Sequence, residues 1–381
     1  MDNKKTKILY LVTQTDPGGA QKYVHDLTLN LNKENFEVEV GVGEGKEEKW
    51  MLDLKNQNIK VHRLKHVVRN LKPIHDFLSG FEIFSLLNKV KPDVIHLNSS
   101  KIGATGAVTG WIYKKLKNRQ MKIIYTVHGL VLNEPLLHWQ RIYYKTSEKI
   151  SGWYEDKIIC VSEFDKQSCL KNKIAKPKKL ITIRNGVDLN NLNLLSKEEA
   201  KTKLGIINQS IGTIANLYET KGLIYLIRAA KILIDKHKDL LFIVIGQGKL
   251  KETLEKEIKK LNLENNFKLI GQKDNAQQYL PAFDIFCLPS VKEGLSYTLI
   301  EALVAGLPII TTDVGGNPEI VEDNVNGILV KPKKPLDLAE AIENILEDRG
   351  LQNKFKENNL EKAKQFSLDK MIKKTEEIYN L

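Results

Sequence analysis

Short apolar runs alternate with amphipathic stretches along the whole chain. In the first half the runs are KILYLV (7–12), EVEVGV (37–42), KVHRL (60–64), PDVIHL (92–97), KIIYTV (122–127), KIICVS (157–162) and LITIRN (180–185). Stretches with helical spacing separate several of them, among them AQKYVHDLTLNLNKE and FLSGFEIFSLLNKV. The second half starts afresh with SIGTIANL (210–217), LLFIVIG (240–246), NFKLIG (266–271), FDIFCLPS (283–290), LPIITT (307–312) and GILV (327–330). This alternation predicts an α/β protein with two open parallel sheets, each with helices on both faces. The polar, Asn-rich segment RNGVDLNNLNLLSKEEA (184–200) reads as the hinge, with a new helix starting at Ser196. Domains are therefore expected at 1–188 and 196–366, followed by an amphipathic helix over 367–381.

A length of 381 residues suits two domains rather than one growing core. The apolar fraction of 42% and charged fraction of 28% are those of a globular chain, and no run approaches the ~18 apolar residues of a membrane span. The ILYLV run near the N-terminus is too short for a signal peptide, so a cytoplasmic protein is expected. Cys160, Cys169 and Cys287 have neither a disulfide framework nor metal-knuckle spacing. The net charge of +12 is one-sided: residues 1–190 hold 32 Lys and Arg against 20 acids, and 191–381 are balanced. Residues 55–122 alone hold 14 basic and 3 acidic residues, which points to an anionic partner.

Ligands of open parallel sheets bind beyond the carboxyl ends of the strands, so the loops there carry the candidate chemistry. Gly18 and Gly19 open a helix after the first strand, where free N–H groups suit an anion, although a plain turn explains them too. Gly246 and Gly248 mark a second strand-to-helix turn, but Lys251 stands where a dinucleotide fingerprint has its third glycine. His128 leaves a strand end at the level of the crevice, where an imidazole could donate to a sugar hydroxyl or transfer a proton. Ser99, Ser100 and Lys101 at a helix start could bind phosphate, and an ordinary N-cap accounts for the serines equally well. Lys221 beside Gly222 could neutralise a diphosphate.

The stretch CLPSVKEGLSYTLIEALVAGLPIITTDVGGNPEIV reads strand, loop, helix, strand, loop, with a helix capped near Ser296. Glu293 lies just outside that helix start and Glu301 inside it among apolar neighbours, where a carboxylate needs partners. Two carboxylates astride an anion-binding helix start suggest hydroxyl groups held on either side of a diphosphate.

With PGGA, TVHG, CVSEF, RNGVD, KG, IGQG and NGILV in the same order, this block resembles retaining glycosyltransferases of family 4, the group-1 type. The resemblance covers essentially the whole chain. It implies the GT-B fold of two facing Rossmann-like domains, the first for the acceptor and the second for a nucleotide sugar, with the last helix crossing back to the first. Glu293 would then hold hydroxyls of the donor sugar, with N–H groups of Gly294, Leu295, Ser296 and Tyr297 approaching sugar and phosphate. Glu301 would take the ribose hydroxyls, Lys221 the leaving diphosphate helped by Gly19, and the backbone at Ile270 and Gly271 would frame the base. His128 would contact the sugar near its reacting carbon and orient the acceptor, for which Ser99, Ser100 and Lys101 are further candidates. Neither a metal nor a protein nucleophile is implied, since helix N-termini and cations neutralise the diphosphate.

One departure stands out. The family usually places an arginine in the loop of Lys221, where this chain has Asn216 and Tyr218. Arg228 sits too far along the next helix, which leaves Arg184 or Lys249 to complete the site, or a slower or purely nucleotide-binding homologue. The expected activity is transfer from a UDP- or GDP-sugar to a glycan or lipid-linked acceptor in cell-surface polysaccharide or glycolipid synthesis. A sugar-nucleotide epimerase is the alternative on the same fold. The mixtures of cations and apolar residues in KVHRLKHVVRNLKPIHDFL and WIYKKLKNRQ suggest peripheral contact with the cytoplasmic face of an anionic membrane. With no stacking platform, zinc knuckle or helix-turn-helix in the sequence, nucleic acid is not an expected partner.

Overall fold

A computed structural model describes residues 4–70, 72–134 and 136–380; Leu381, the end of the expected last helix, and residues 1–3 of the first domain lie outside the described residues. All thirteen apolar runs contain strands. The first thirteen elements are β1 (Thr6–Gln14), α1 (Gly19–Asn30), β2 (Phe36–Glu44), α2 (Lys49–Asn56), β3 (Lys60–Arg63), α3 (Pro73–Val90), β4 (Val94–Leu97), α4 (Ser100–Leu116), β5 (Lys122–Val127), α5 (His138–Tyr154), β6 (Lys157–Cys160), α6 (Glu163–Lys171) and β7 (Leu180–Thr182). The second series is α7 (Lys197–Leu204), β8 (Ser210–Ile214), α8 (Leu223–Ile234), β9 (Leu241–Ile245), α9 (Lys251–Lys260), β10 (Phe267–Leu269) and β11 (Ile285–Leu288). It continues with α10 (Tyr297–Val304), β12 (Ile309–Thr312), α11 (Asn317–Ile320), β13 (Gly327–Val330), α12 (Pro335–Glu347), α13 (Arg349–Ala363) and α14 (Leu368–Asn380).

The strands form two sheets, ordered β3-β2-β1-β4-β5-β6-β7 and β10-β9-β8-β11-β12-β13. Every pairing within them is parallel, with Ile8 set beside Val38 on one side and Val94 on the other. Helices on both faces bury the central strands, which is why β5, β9 and β11 read as continuous apolar runs rather than alternating ones, while the edge strand β3 stays partly exposed. Leu9, Ile95, Ile123 and Ile158 build the first core, and Phe242, Ile285, Ile310 and Ile342 the second.

The chain divides into one unit of residues 1–184 and 370–381, and another of residues 185–369. The domain ends expected from sequence, 188 and 366, differ from these by three or four residues for a local reason. Val187 N donates to Phe366 O at 2.9 Å and Leu368 N to Val187 O at 2.9 Å, so residues from 185 onwards are tied to the segment before α14. Gly186 packs so closely that a Cβ would meet Ser367 O at 2.4 Å. The helix start expected at Ser196 is a capping box, with Ser196 and Glu199 satisfying each other's backbone N–H groups.

From Lys370 on, α14 belongs to the first unit. Its Tyr379 hydroxyl lies 2.7 Å from that of Tyr10 and 2.6 Å from His96 Nδ1, while His96 Nε2 lies 2.6 Å from Thr126 Oγ1. Lys122 Nζ donates to Tyr379 O at 2.8 Å. A buried polar network thus fixes the last helix to β1, β4 and β5, since leaving any member unpaired would cost about 1–3 kcal/mol.

His96 is fully buried, and burial, with His128 nearby adding to it, pushes its pKa down to about 3. An unfolded histidine takes up a proton below about pH 6.5, whereas the folded one stays neutral. Its contribution is therefore intact above that pH and declines as the pH falls towards 3, by about 1.4 kcal/mol per unit. Between pH 7 and 5, wild-type protein should lose about 2 kcal/mol more stability to urea than a His96→Gln variant. Equal losses would show that folded His96 takes up a proton.

Candidate active site

The order of the second sheet reverses between β8 and β11, which opens a crevice beyond their carboxyl ends. The loops after these strands bring together Lys221 and Glu293, 72 positions apart in sequence. Lys221 Nζ lies 2.7 Å from Glu293 Oε1, and Ser290 Oγ donates to the same oxygen at 2.6 Å. The Glu293 side chain is only 8% exposed and that of Lys221 24%, so the pair is partly desolvated and held at the rim of the crevice. The sequence alone assigns these residues separate tasks; the fold couples them.

Backbone sets this geometry. A Cβ on Gly222, at φ 64°, would meet Pro289 O at 2.1 Å, and one on Gly315, at φ 56°, would meet Glu293 O at 2.0 Å. Val291 N donates to Thr220 O at 2.8 Å and Gly316 N to Gly294 O at 2.8 Å. Gly246 and Gly248 serve the same end: a Cβ at either would strike the Ala215 or Leu217 carbonyl. Leu217 N in turn bonds Gln247 O at 3.0 Å, and Gly246 N bonds Gly271 O at 2.9 Å. Ile270 N continues the ladder to Val244 O at 3.0 Å, and Gly271 turns at φ 80° with open space around it. The glycines suspected of a nucleotide fingerprint therefore lock neighbouring loops together.

Ser296 is the N-cap of α10, its Oγ accepting from Leu299 N at 3.4 Å, and no acid occupies the first turn. The leading N–H groups of a helix have no carbonyl partner within it, so this end suits an anion. Asn185 Nδ2 donates to Leu295 O at 2.8 Å and steadies the approach to the cap. Glu301 lies inside α10 and is 6% exposed. In the loop that lacks an arginine, Tyr218 N bonds Asn216 O at 2.8 Å. Arg228 is engaged by Glu257 at 3.0 Å, whereas Lys249 is exposed directly after Gly248.

The first sheet reverses between β1 and β4. Gly18 is the N-cap of α1, whose first turn has neither a side-chain cap nor an acid, and Gly19 is its first residue. His128 Nε2 lies 3.2 Å from Asn98 Oδ1, while Asn98 Nδ2 donates to His96 O at 3.1 Å. That second bond turns the amide oxygen towards His128, so Nε2 carries the hydrogen and Nδ1 keeps its lone pair. Burial pushes the His128 pKa down to about 3, which leaves a neutral ring with its one N–H engaged. The ring nitrogen left without a hydrogen, Nδ1, can act only as an acceptor. Tyr23 packs against this ring edge-on at 4.9 Å.

The serines and lysine considered for the acceptor have internal partners. Ser99 Oγ bonds Thr13 Oγ1 instead of capping α4, Ser100 Oγ lies 3.3 Å from Tyr125 OH, and Lys101 Nζ pairs with Asp76 at 2.6 Å. Asn98, Asn185 and Ser290 were not singled out in the sequence, although Asn98 directly follows β4 and the other two end the runs LITIRN and FDIFCLPS. Among the described residues one group of metal-ligand type, His237, Glu343 and Glu347, stands together, and Lys236 already pairs with Glu343 at 2.8 Å. The three cysteines are buried and unbridged.

Residues 196–362 match the family model described as glycosyl transferases group 1, and residues 17–191 the one described as glycosyltransferase family 4. The chain belongs to this glycosyltransferase family. Among the relatives of this glycosyltransferase is an Escherichia coli UDP-Gal:alpha-D-GlcNAc-diphosphoundecaprenol alpha-1,3-galactosyltransferase, 26% identical over 99% of this chain and 97% of its own. The Staphylococcus aureus capsular polysaccharide biosynthesis glycosyltransferase CapM is also 26% identical, with the same coverage. Among solved structures, Anabaena HepE in complex with UDP and glucose superposes with a TM-score of 0.84 at 21% identity, covering 98% of this chain and 99% of that one. This likeness shows the fold, which is GT-B.

Replacing Lys221 by Met would leave Glu293 with Ser290 as its hydrogen-bond donor and should cost about 2 kcal/mol of stability. Adding Glu293→Gln should restore most of that loss in a urea-unfolding double-mutant cycle. Additivity within about 0.5 kcal/mol would mean that the two side chains do not interact.

Proposed function

We propose that this glycosyltransferase moves a sugar from a UDP- or GDP-linked donor to a glycan or lipid-linked acceptor, in cell-surface polysaccharide or glycolipid synthesis at an anionic membrane surface. The observation that carries the reading is the Lys221–Glu293–Ser290 cluster beside the α10 N-terminus. It joins a cation and open N–H groups, suited to a diphosphate, with a carboxylate suited to sugar hydroxyls. The relatives' names support the same chemistry, with a UDP-linked donor and a diphosphoundecaprenol acceptor in one and a capsular polysaccharide in the other.

In this mechanism Lys221 and the first turn of α10 stabilise the negative charge that grows on the departing diphosphate. A single well-placed donor of this kind is worth roughly 100-fold in rate. Lys249 adds the charge that the family's arginine supplies elsewhere. Glu293 is held through Oε1 by Lys221 and Ser290, and Oε2 takes the sugar hydroxyls. Glu301 accepts from the ribose, and Ile270 and Gly271 border the base. The neutral His128 offers Nδ1 to an acceptor hydroxyl, orienting it. The proton of that hydroxyl passes to the leaving phosphate oxygen on the face where the new bond forms, so the anomeric configuration is retained. No metal and no protein nucleophile take part.

The test is transfer of labelled sugar from UDP- and GDP-sugars to a polyprenyl-diphosphate glycan. Glu293→Gln should lower kcat/KM by about 100-fold, and Lys249→Ala by about 10-fold, with little change in melting temperature without donor. EDTA should leave the wild-type rate unchanged, and NMR of the product should show the donor's anomeric configuration. Wild-type turnover by Glu293→Gln would overturn the site, while isomerisation of the sugar without acceptor would identify an epimerase.

A further inference from the structure

Among the described residues, twelve of the nineteen exposed large apolar side chains lie between Ile74 and Trp153. Three of the four tryptophans in the chain, Trp111, Trp139 and Trp153, are among them. They are not scattered. On α5, Trp139, Ile142, Tyr143, Ile150 and Trp153 recur at helical spacing as one outward stripe, with Trp153 72% exposed. The buried residues of the same helix are Glu148, Ser151 and Gly152. This helix therefore buries polar and small residues and turns Trp139, Tyr143 and Trp153 outward, while Tyr144 and Tyr154 pack against the core.

Neighbouring helices extend the face. Ile74, Phe77 and Phe81 form an exposed stripe on α3, with the two phenylalanine rings 5.1 Å apart. The Trp111 ring of α4 lies 4.9 Å from that of Tyr154 at the end of α5. A cavity of about 600 Å³ lies between, floored by Ala104, Thr105 and Val108 of α4 and walled by Tyr143 and Ile150 of the α5 stripe. By contrast, the basic segment at 60–68 does not belong to this face, because its Leu64, Val67 and Val68 are buried.

Charge decides what covers the surface. Arg141, Lys145 and Lys149 recur on α5 at four-residue intervals, which brings Lys149 next to the aromatic stripe, and Lys115 and Lys117 follow Trp111 on α4 or just beyond its end. The acids nearby are engaged within the protein: Asp76 pairs with Lys101, and Glu82 accepts from the backbone N–H groups of Lys65 and His66. No acid occurs in α4, and Glu148, the only one in α5, is buried. A second copy presenting this cationic face would be repelled, whereas anionic lipid headgroups complement the lysines and acyl chains accept the aromatic rings.

We propose that the outward faces of α3, α4 and α5 form a docking surface for an anionic lipid bilayer, with Trp139 and Trp153 entering the interface and Arg141, Lys145 and Lys149 contacting headgroups. This deepens the reading of a lipid-linked acceptor and rests on it for its purpose. Vesicle binding is measured without donor or acceptor, so the two readings fail separately.

The test is co-sedimentation at physiological salt with phosphatidylcholine vesicles, pure or containing one quarter phosphatidylglycerol. Wild-type protein should bind the anionic vesicles and not the neutral ones, with tryptophan emission shifted to the blue and quenched by brominated lipid. Trp139→Ser with Trp153→Ser should weaken binding at least 10-fold and remove most of the quenching. Arg141→Glu, Lys145→Glu and Lys149→Glu together should weaken it on the order of 100-fold, as about 1 kcal/mol per charge requires. Trp139, Arg141 and Trp153 are exposed and Lys145 and Lys149 half-buried, and an unchanged melting temperature would show that the variants fold. Absence of wild-type binding, unchanged binding in both variants, or self-association that buries the tryptophans would each overturn the proposal.

Discussion

Three backbone carbonyls, those of Ala215, Pro289 and Glu293, occupy the places where Gly246, Gly222 and Gly315 would carry a Cβ. The candidate site depends on these close approaches. They draw the loops after β8, β9, β11 and β12 into one hydrogen-bonded layer, with Val291 bonded to Thr220 and Gly316 to Gly294. Two of the three glycines also have a φ near 60°, which a side chain tolerates poorly, so steric room and backbone conformation restrict each position together. A methyl group at any of them would separate adjacent loops by an ångström or more. Displacements of that size at a reacting centre cost orders of magnitude in rate.

On that layer the Lys221–Glu293 pair has an electrostatic purpose beyond stability. A carboxylate and an ammonium at 2.7 Å, partly withdrawn from water, hold each other in place before any ligand arrives. An anionic diphosphate approaching Lys221 would otherwise meet a fixed negative charge nearby. Ser290 lessens that conflict by sharing the Glu293 oxygen that faces the lysine. The carboxylate is thereby oriented by two donors, and its position does not depend on the lysine alone. The first unit uses a neutral device instead: the Asn98 amide is oriented by the His96 carbonyl and then orients His128. Glu293 is thus held by charge and His128 by hydrogen-bond direction.

Much of this was legible in the sequence because the signals are local. Continuous apolar runs located all thirteen strands, and the Ser196 and Ser296 caps follow from residue type at a helix start. Long-range pairings were not legible. Nothing in KG or KEG says that Lys221 bonds Glu293, and Tyr379 meets His96 across 283 positions. The close packing at the glycines of IGQG was not legible either, because a positive φ at Gly246 and a carbonyl beside it cannot be told apart from a phosphate loop by spacing alone. Ser99 resembled a helix cap until its hydroxyl was found against Thr13 on the neighbouring strand.

The direction of a side chain is equally hidden in composition. Residues 60–68 and 138–154 both mix cations with large apolar groups, yet the first contributes β3 and buries Leu64, Val67 and Val68, while the second exposes its aromatics. The difference comes from what lies underneath. The α4 glycines face the sheet, where a Cβ on Gly103, Gly106 or Gly110 would meet Tyr125, Leu97 or Ile123, and one on Gly152 of α5 would meet the Ile174 carbonyl. Small residues on each helix thus let it lie close to its own buried neighbours, leaving little room for large side chains on that side. Bulky residues of α5 are then directed outward, and the apolar area they carry is stabilised only when something other than water covers it. The same small-residue packing that closes the interior of the first unit thus determines that its outer face is aromatic.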